Sequence, residues 1–264
     1  MLDAYHCANC GRAIDVAAQK FCPDCGQPTP AHRIDWHFLG HELEHSVLHM
    51  DRGVLYTLRN LMLRPGHLMR DYLEGRRAGI VKPLLLVMMM AAVVVLLTKY
   101  VAGAVPIEIP DFGQQPQAGR AAEVSMAYQK TTMAWINSHF ALFTLVLLPL
   151  EAAMFKLAFR RFREINYPEW LVIMAFLMSQ GFVIWAIGAL WQRWVPGMMI
   201  VISVVAVVYS IISLMQFFPA IPRWKIVLRG LLGYGLYLLG QTLVSALVAL
   251  VFGMVMGYRL NHGG

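Results

Sequence analysis

Four cysteines near the start of the chain form two matching motifs that can hold a metal ion. Each motif reads Cys-x-x-Cys-Gly, with Cys7 and Cys10 in the first and Cys22 and Cys25 in the second. This spacing lets two thiolates grip one metal, and the following glycine relaxes the tight turn around it. Four thiolates select zinc or iron, and the knuckle form favours one structural Zn²⁺ per chain. Two disulfides are the competing interpretation, and they need an oxidising compartment.

A site with four thiolate ligands has no open coordination position, so it is suited to folding rather than to catalysis. Eleven residues separate Cys10 from Cys22, which is enough for a short hairpin between the two knuckles. We therefore expect residues 1–30 to form a small zinc ribbon, and we expect this ribbon to contact a protein partner.

A second candidate metal site lies on a predicted helix from about Asp35 to Met50. His41, Glu42 and His45 match His-Glu-x-x-His, in which two histidines bind zinc from one helix face and the glutamate activates a bound water. Three residues could supply a third ligand: His49, Glu74 and Glu169. Histidines recur here every fourth residue opposite an apolar stripe, so a polar face, a packing surface or a proton sensor explains them equally. We predict no catalytic residue, and a peptidase site with Glu42 as its base is the alternative.

Two acidic residues, Glu151 and Glu169, fall inside long apolar stretches. Acids within a membrane usually face a charged partner or a water-filled cavity. We expect these two to pair with nearby basic residues, for which Lys156, Arg160 and Arg161 are candidates. A proton or substrate site is the alternative interpretation.

Membrane-spanning helices must position these residues. The chain is 58% hydrophobic and only 14% charged, whereas soluble domains carry about 25% charged residues. A helix needs roughly 20 mostly apolar residues to cross a bilayer. Five stretches meet that length, at about 80–104, 136–155, 169–190, 198–218 and 230–256. The sequence therefore predicts an all-α integral membrane protein, with a transmembrane domain over residues 83–264 behind the small N-terminal ribbon.

Residues 31–82 join the predicted ribbon to the first span, and we call them the neck. Apolar residues recur there at steps of three and four, which predicts amphipathic helices. Basic residues lie among and after these helices, including Arg64, Arg70, Arg76, Arg77 and Lys82. Apolar area beside positive charge suits an anionic lipid surface. A compact helical neck packed on the spans is a compatible alternative.

The distribution of charge predicts the orientation of the chain. Residues 1–82, 156–168 and 219–229 carry 17 of the 22 Lys and Arg. Loops rich in Lys and Arg stay in the cytoplasm, which places the N-terminus inside and the C-terminus outside. The reducing cytoplasm then keeps the cysteines as thiols. Because the net charge of +7 collects beside the spans, we expect no nucleic-acid partner.

Two glycines in the last span, Gly253 and Gly257, are four residues apart. This spacing permits close helix packing, so a homo-oligomer can form through them. The first residues of the chain include no apolar core typical of a cleavable signal peptide, and we expect none.

The order of motifs resembles a known family. The shared elements are Cys-x-x-Cys-Gly, Cys-Pro-x-Cys-Gly-Gln, His-Glu-x-x-His-Ser, Arg64-Pro65-Gly66, Tyr72-x-x-Gly75-x-Arg77 and Lys82-Pro83. Together they are similar to a bacterial family of multi-span membrane proteins, domain-of-unknown-function family 3667. The resemblance covers about residues 7–83. It implies a zinc ribbon on a helical domain of the bacterial inner membrane, and it brings no established activity.

Three functions follow as hypotheses. The first is a membrane-anchored zinc-ribbon adaptor or regulatory subunit without catalysis. The second is a zinc metallopeptidase that uses His41, Glu42 and His45. The third is a small transporter or transporter accessory protein, motivated by Glu151 and Glu169.

Overall fold

Five long helices give the chain the architecture of a multi-pass membrane protein. The computed structural model describes residues 5–15, 19–45, 53–103, 130–162, 164–192, 194–195 and 197–262, with the backbone alone for 41–45, 102 and 249–262. These residues are mainly helical, and two isolated bridges are the only β-type pairing among them. Five helices are long and apolar enough to cross a membrane, which confirms the predicted fold class.

Three short helices precede the first span: α1 (Trp36–His45), α2 (Val54–Leu63) and α3 (Pro65–Leu73). The first span is α4 (Pro83–Leu97), which continues as a π-helix over Thr98–Ala102. A helix over residues 130–138, α5, leads to the other spans: α6 (Phe140–Ala158), α7 (Tyr167–Gln192), α8 (Met198–Phe217) and α9 (Arg223–His262). The predicted end of α1 at Met50 and most of the predicted loop before α5 lie outside the described residues.

Helix α7 is the centre of the membrane domain, and α9 lies at its edge. Helix α7 packs against α4, α6 and α8. In its most apolar stretch 67% of the residues are buried, against 6% in α9. Trp170, Ile173, Met174 and Phe176 of α7 are fully buried. A helix enclosed on all sides needs no polar face, and this explains the largely apolar sequence of α7.

The neck begins with a capped helix. The Asp35 side chain accepts a hydrogen bond of 2.8 Å from the backbone N–H of Phe38, as expected for an N-cap of α1. Further along, the Thr57 hydroxyl in α2 accepts a 2.9 Å hydrogen bond from the backbone N–H of Val81. The buried Thr57 therefore fixes α2 to the segment that starts the first span.

Helices α2 and α3 form a hairpin that packs into the spans. Leu61 of α2 and Met69 of α3 are fully buried. The Gln180 amide, midway along α7, donates a 3.0 Å hydrogen bond to the Leu61 carbonyl. Gln180 in turn accepts a 2.9 Å hydrogen bond from the Ser213 hydroxyl of α8. This buried polar link joins the hairpin to two spans at once.

Two of the basic residues of the neck bind protein rather than remaining free. Arg70 donates hydrogen bonds to the Gln216 and Phe217 carbonyls at the end of α8, where the helix dipole favours a cation. Arg77 donates to the Tyr72 and His32 carbonyls. These contacts favour a neck packed on the spans over one that rests on lipid alone.

Candidate functional site

Two backbone turns of the same kind bring the four cysteines together. In the first turn, Gly11 N–H bonds the Cys7 carbonyl at 2.8 Å; in the second, Gly26 N–H bonds the Cys22 carbonyl at 2.9 Å. Gly11 and Gly26 have φ angles of 76° and 71°. Side chains other than glycine rarely adopt such angles, so each motif needs its glycine.

The four sulphur atoms form one compact group. The Cys7 and Cys25 sulphurs lie 3.5 Å apart, as do those of Cys10 and Cys22, and all four lie within 4.8 Å of one another. Sulphurs placed about 2.3 Å from a tetrahedral Zn²⁺ are separated by about 3.8 Å. A disulfide needs about 2.05 Å, and all four cysteines are free. The group fits a tetrahedral metal ion, and the disulfide interpretation does not fit.

The surroundings of the group act differently on two of its thiols. Backbone N–H groups of Cys25 and then Asp24 lower the pKa of the Cys22 thiol to about 7, although burial opposes them. The pKa of Cys10 is raised to about 12, because burial and hydrogen bonds to the other sulphurs outweigh the Arg12 N–H. The opposite shifts of Cys10 and Cys22 indicate that these two neighbouring thiols do not ionise together unless a cation balances their charge.

The ribbon contacts the neck through a hydrogen bond of the Gln27 side chain. Gln27 is buried, and its side-chain oxygen accepts a 3.0 Å hydrogen bond from the Arg77 N–H. Arg77 also lies over the Phe38 ring, 4.2 Å from its centroid, which is a cation–π contact. The cysteine group is thereby held in place against the helices of the neck.

The candidate peptidase residues lie on α1, as predicted, but their side chains are outside the described residues. His41, Glu42 and His45 fall in the last two turns of that helix. Of the candidate third ligands, Glu74 pairs with Arg76 and Glu169 pairs with Arg33. His49 lies outside the described residues. Both described candidates therefore form an ion pair in this structure.

Glu169 is paired, and its partner comes from the neck. The two nitrogens of the Arg33 fork lie 2.7 and 3.0 Å from the two oxygens of the Glu169 carboxylate. Glu169 also accepts a 2.7 Å hydrogen bond from Asn166 N–H, and its own N–H donates to the Asn166 side chain at 2.8 Å. Pairing was predicted correctly, but Arg33 replaces the predicted partners near residue 160.

Glu151 has a different environment, and its predicted pairing with Lys156, Arg160 or Arg161 is wrong. It is 7% exposed, and its Oε2 atom has no hydrogen-bond partner among the described residues. A cavity of about 340 Å³ adjoins it, bounded by α6, α7, α8 and α9. Phe182, Trp185, Tyr234 and Tyr237 supply aromatic walls. Sequence reasoning missed these residues, although the three-residue spacing of the two tyrosines places them on one face of α9.

A second, more open cavity lies between the end of α6 and the start of α7. Its volume is about 590 Å³, and it is lined by Lys156, Arg160, Asn166 and Tyr167 among others. The Lys156 ammonium lies 5.8 Å from the centroid of the Tyr167 ring. This cavity is where basic side chains are exposed beside a span.

Comparison with known proteins agrees with the resemblance read from the sequence. The family described as protein of unknown function (DUF3667) matches residues 51–95, which cover α2, α3 and most of α4. The chain therefore resembles this family over the hairpin and the first span. No curated protein and no solved structure matches the chain.

Proposed function

We propose that the protein holds a zinc ribbon at the cytoplasmic face of a bacterial inner membrane, as an adaptor or regulatory subunit without catalysis. The observation that carries this proposal is the closed group of four sulphurs, within 4.8 Å of one another, fixed to the neck through Gln27. A closed site folds its surroundings and leaves no position for a substrate. The bound metal would be one structural Zn²⁺ per chain, held by Cys7, Cys10, Cys22 and Cys25.

Three further parts belong to this proposal. Residues 1–30, 31–82 and 83–264 act as ribbon, neck and membrane domain. The exposed rings of Tyr5 and Phe21 give the ribbon an apolar surface for a protein partner. Anionic lipid would bind the exposed basic residues beside the spans. Two copies of the chain would pack together through Gly253 and Gly257, whose surroundings lie outside the described residues.

Metal content tests the first part. Purified full-length protein should contain about one Zn²⁺ per chain, measured by elemental mass spectrometry. Cys10→Ser should release the zinc and make residues 1–30 sensitive to protease, because three thiolates no longer close the site. The spans should remain inserted in the membrane.

Asn9→Ala is the matched control, since it alters the same turn without removing a sulphur, and it should keep its zinc. Zinc retained by Cys10→Ser would contradict the proposed site. A second zinc lost in His41→Ala or His45→Ala, with a proteolytic product lost in Glu42→Gln, would instead establish the metallopeptidase.

A second candidate function is a small transporter or transporter accessory protein. One observation favours it: Glu151 is a buried acid beside a cavity within the spans, with no ion pair among the described residues. Acids in that position often mark the path of a substrate or proton. Glu169 no longer supports this candidate, since Arg33 engages it.

A further inference from the structure

The cavity beside Glu151 has a composition that selects one class of ligand. Glu151 is the only acidic or basic side chain among the described residues that line it. The remaining walls are aromatic and aliphatic, with Ser203 as a small polar group. Its volume of about 340 Å³ lies at the lower end of the range for small-molecule pockets, about 300–1,000 Å³.

The carboxylate lies well inside the span. Ala158, where α6 ends, is seven positions after Glu151, and this corresponds to about 10 Å along the helix axis. At such a depth a polar group gains little from bulk water. The buried Oε2 atom, without a partner among the described residues, therefore offers an unused acceptor to whatever fills the cavity.

The aromatic walls favour positive charge as well. Trp185 and Phe182 of α7 face the same cavity as Tyr234 and Tyr237 of α9. Tyr234 is held by its ring contact with Phe155, 5.0 Å between centroids, and by a 2.6 Å hydrogen bond with Ser210. Ring faces attract cations, and they do so most strongly where water is excluded.

Other ligand classes fit the lining less well. Among divalent metal ions, Ca²⁺ takes about six or more oxygen ligands. One carboxylate and a few hydroxyls supply too few ligands for it. An anion would meet the Glu151 carboxylate without any basic group among the lining residues. We propose that this cavity binds an organic cation with an apolar body, with Glu151 as the counter-charge and the aromatic rings around it.

This inference concerns the same cavity as the second candidate function, but it requires binding alone and not transport. The experiment uses full-length, zinc-loaded protein in lipid nanodiscs and benzyltrimethylammonium as the probe. Calorimetric titration should detect saturable binding of the probe that empty nanodiscs lack. Phenylacetate, an anion of similar size, should give no such binding.

Variants identify the groups that bind. Glu151→Gln should weaken binding of the probe by at least about tenfold, because the counter-charge is lost in a medium of low dielectric. Glu164→Gln removes the same charge from an exposed position and should bind as the unmodified protein does. Tyr237→Phe keeps the ring and should bind nearly normally, whereas Tyr237→Leu should lose roughly 2- to 30-fold.

The two variants of Tyr237 still test the proposal if Glu151→Gln does not fold. Equal affinity in the unmodified protein and a folded Glu151→Gln variant would overturn the proposal, as would equal affinity in Tyr237→Phe and Tyr237→Leu. Binding of phenylacetate as tight as that of the cation would also overturn it. Uptake of the probe into vesicles separately tests the transporter: binding without uptake keeps this inference and rejects that function.

Discussion

Glu151 and Glu169 are two buried acids whose surroundings give them different roles. The Arg33 guanidinium donates to both carboxylate oxygens of Glu169. The hydrogen bond to Glu169 and, to a smaller extent, the negative charge of Glu169 raise the pKa of Arg33. Glu151 has no such partner among the described residues. The first acid is therefore part of the framework that attaches the neck to α7, and the second remains available to a ligand.

Arg33→Ala should lower the free energy of unfolding by about 1–2 kcal/mol. The variant removes both hydrogen bonds to Glu169 and leaves that carboxylate buried with the Asn166 N–H. The expected loss of stability is modest because the Arg33 side chain is 61% exposed, so that water screens the ion pair. Unfolding in a mixture of detergent and sodium dodecyl sulphate measures the change.

Adding Glu169→Gln to Arg33→Ala should recover part of the loss, since the uncompensated charge is then removed. The stability of Arg33→Lys should lie between those of the unmodified protein and Arg33→Ala, because an ammonium keeps the charge but cannot form the bidentate contact. Glu169→Gln must also be measured alone in the unmodified protein. If it lowers the free energy of unfolding by the same amount in the Arg33→Ala background, the two residues do not interact and the ion pair has no role.

The sequence predicts the cysteine group better than it predicts the acids. Each cysteine turn depends on five consecutive residues, so local spacing is enough to identify it. Arg33 and Glu169 are 136 positions apart, and no local pattern relates them. Glu151 was expected to pair because Lys156, Arg160 and Arg161 follow it within ten positions. In the fold it instead lines the cavity bounded by α7, α8 and α9.

Among the elements, the hairpin of α2 and α3 shows where sequence patterns stop being informative. Gly53 and Arg64 bound α2, and Pro65 begins α3 at the first helical position, where a missing N–H is tolerated. How far it packs into the spans depends on long-range contacts, such as that of Gln180 with Leu61. The family match over residues 51–95 coincides with this hairpin and the first span.

Gly66→Ala should separate α3 from α8 and lower the free energy of unfolding by about 1–3 kcal/mol. A Cβ atom on Gly66 would lie well inside van der Waals contact of the Gln216 and Phe217 backbone. Backbone atoms cannot move aside as a flexible side chain can, so the helices must shift. Detergent-mixture unfolding and faster proteolysis of the neck would report the shift.

Gly235→Ala is the matched control, because a Cβ at that position in α9 meets nothing within 4 Å. Alanine is the better helix former, so this variant should be unchanged or slightly more stable. Equal stability of both variants would mean that the close approach of α3 to α8 is not required.

At the scale of the whole molecule, contacts place the neck and two loops on the same side of the spans. Arg33 of the neck binds the Glu164 carbonyl in the loop between α6 and α7, and Arg70 binds the Phe217 carbonyl before the loop that precedes α9. Both loops therefore lie on the same side of the spans as the neck. With the ribbon included, residues 1–82, 156–168 and 219–229 hold 17 of the 22 Lys and Arg, from which we predict a cytoplasmic location for these segments.

Cysteine labelling tests this orientation. Trp194→Cys places an exposed thiol between α7 and α8, and Arg161→Cys places one between α6 and α7. In intact cells a membrane-impermeant maleimide should label the first and leave the second unlabelled until the membrane is permeabilised, because loops rich in Lys and Arg stay inside. The unmodified protein measures labelling of the four native cysteines. The reverse pattern would place the ribbon outside, in an oxidising compartment, and free thiols as zinc ligands would then be unexpected.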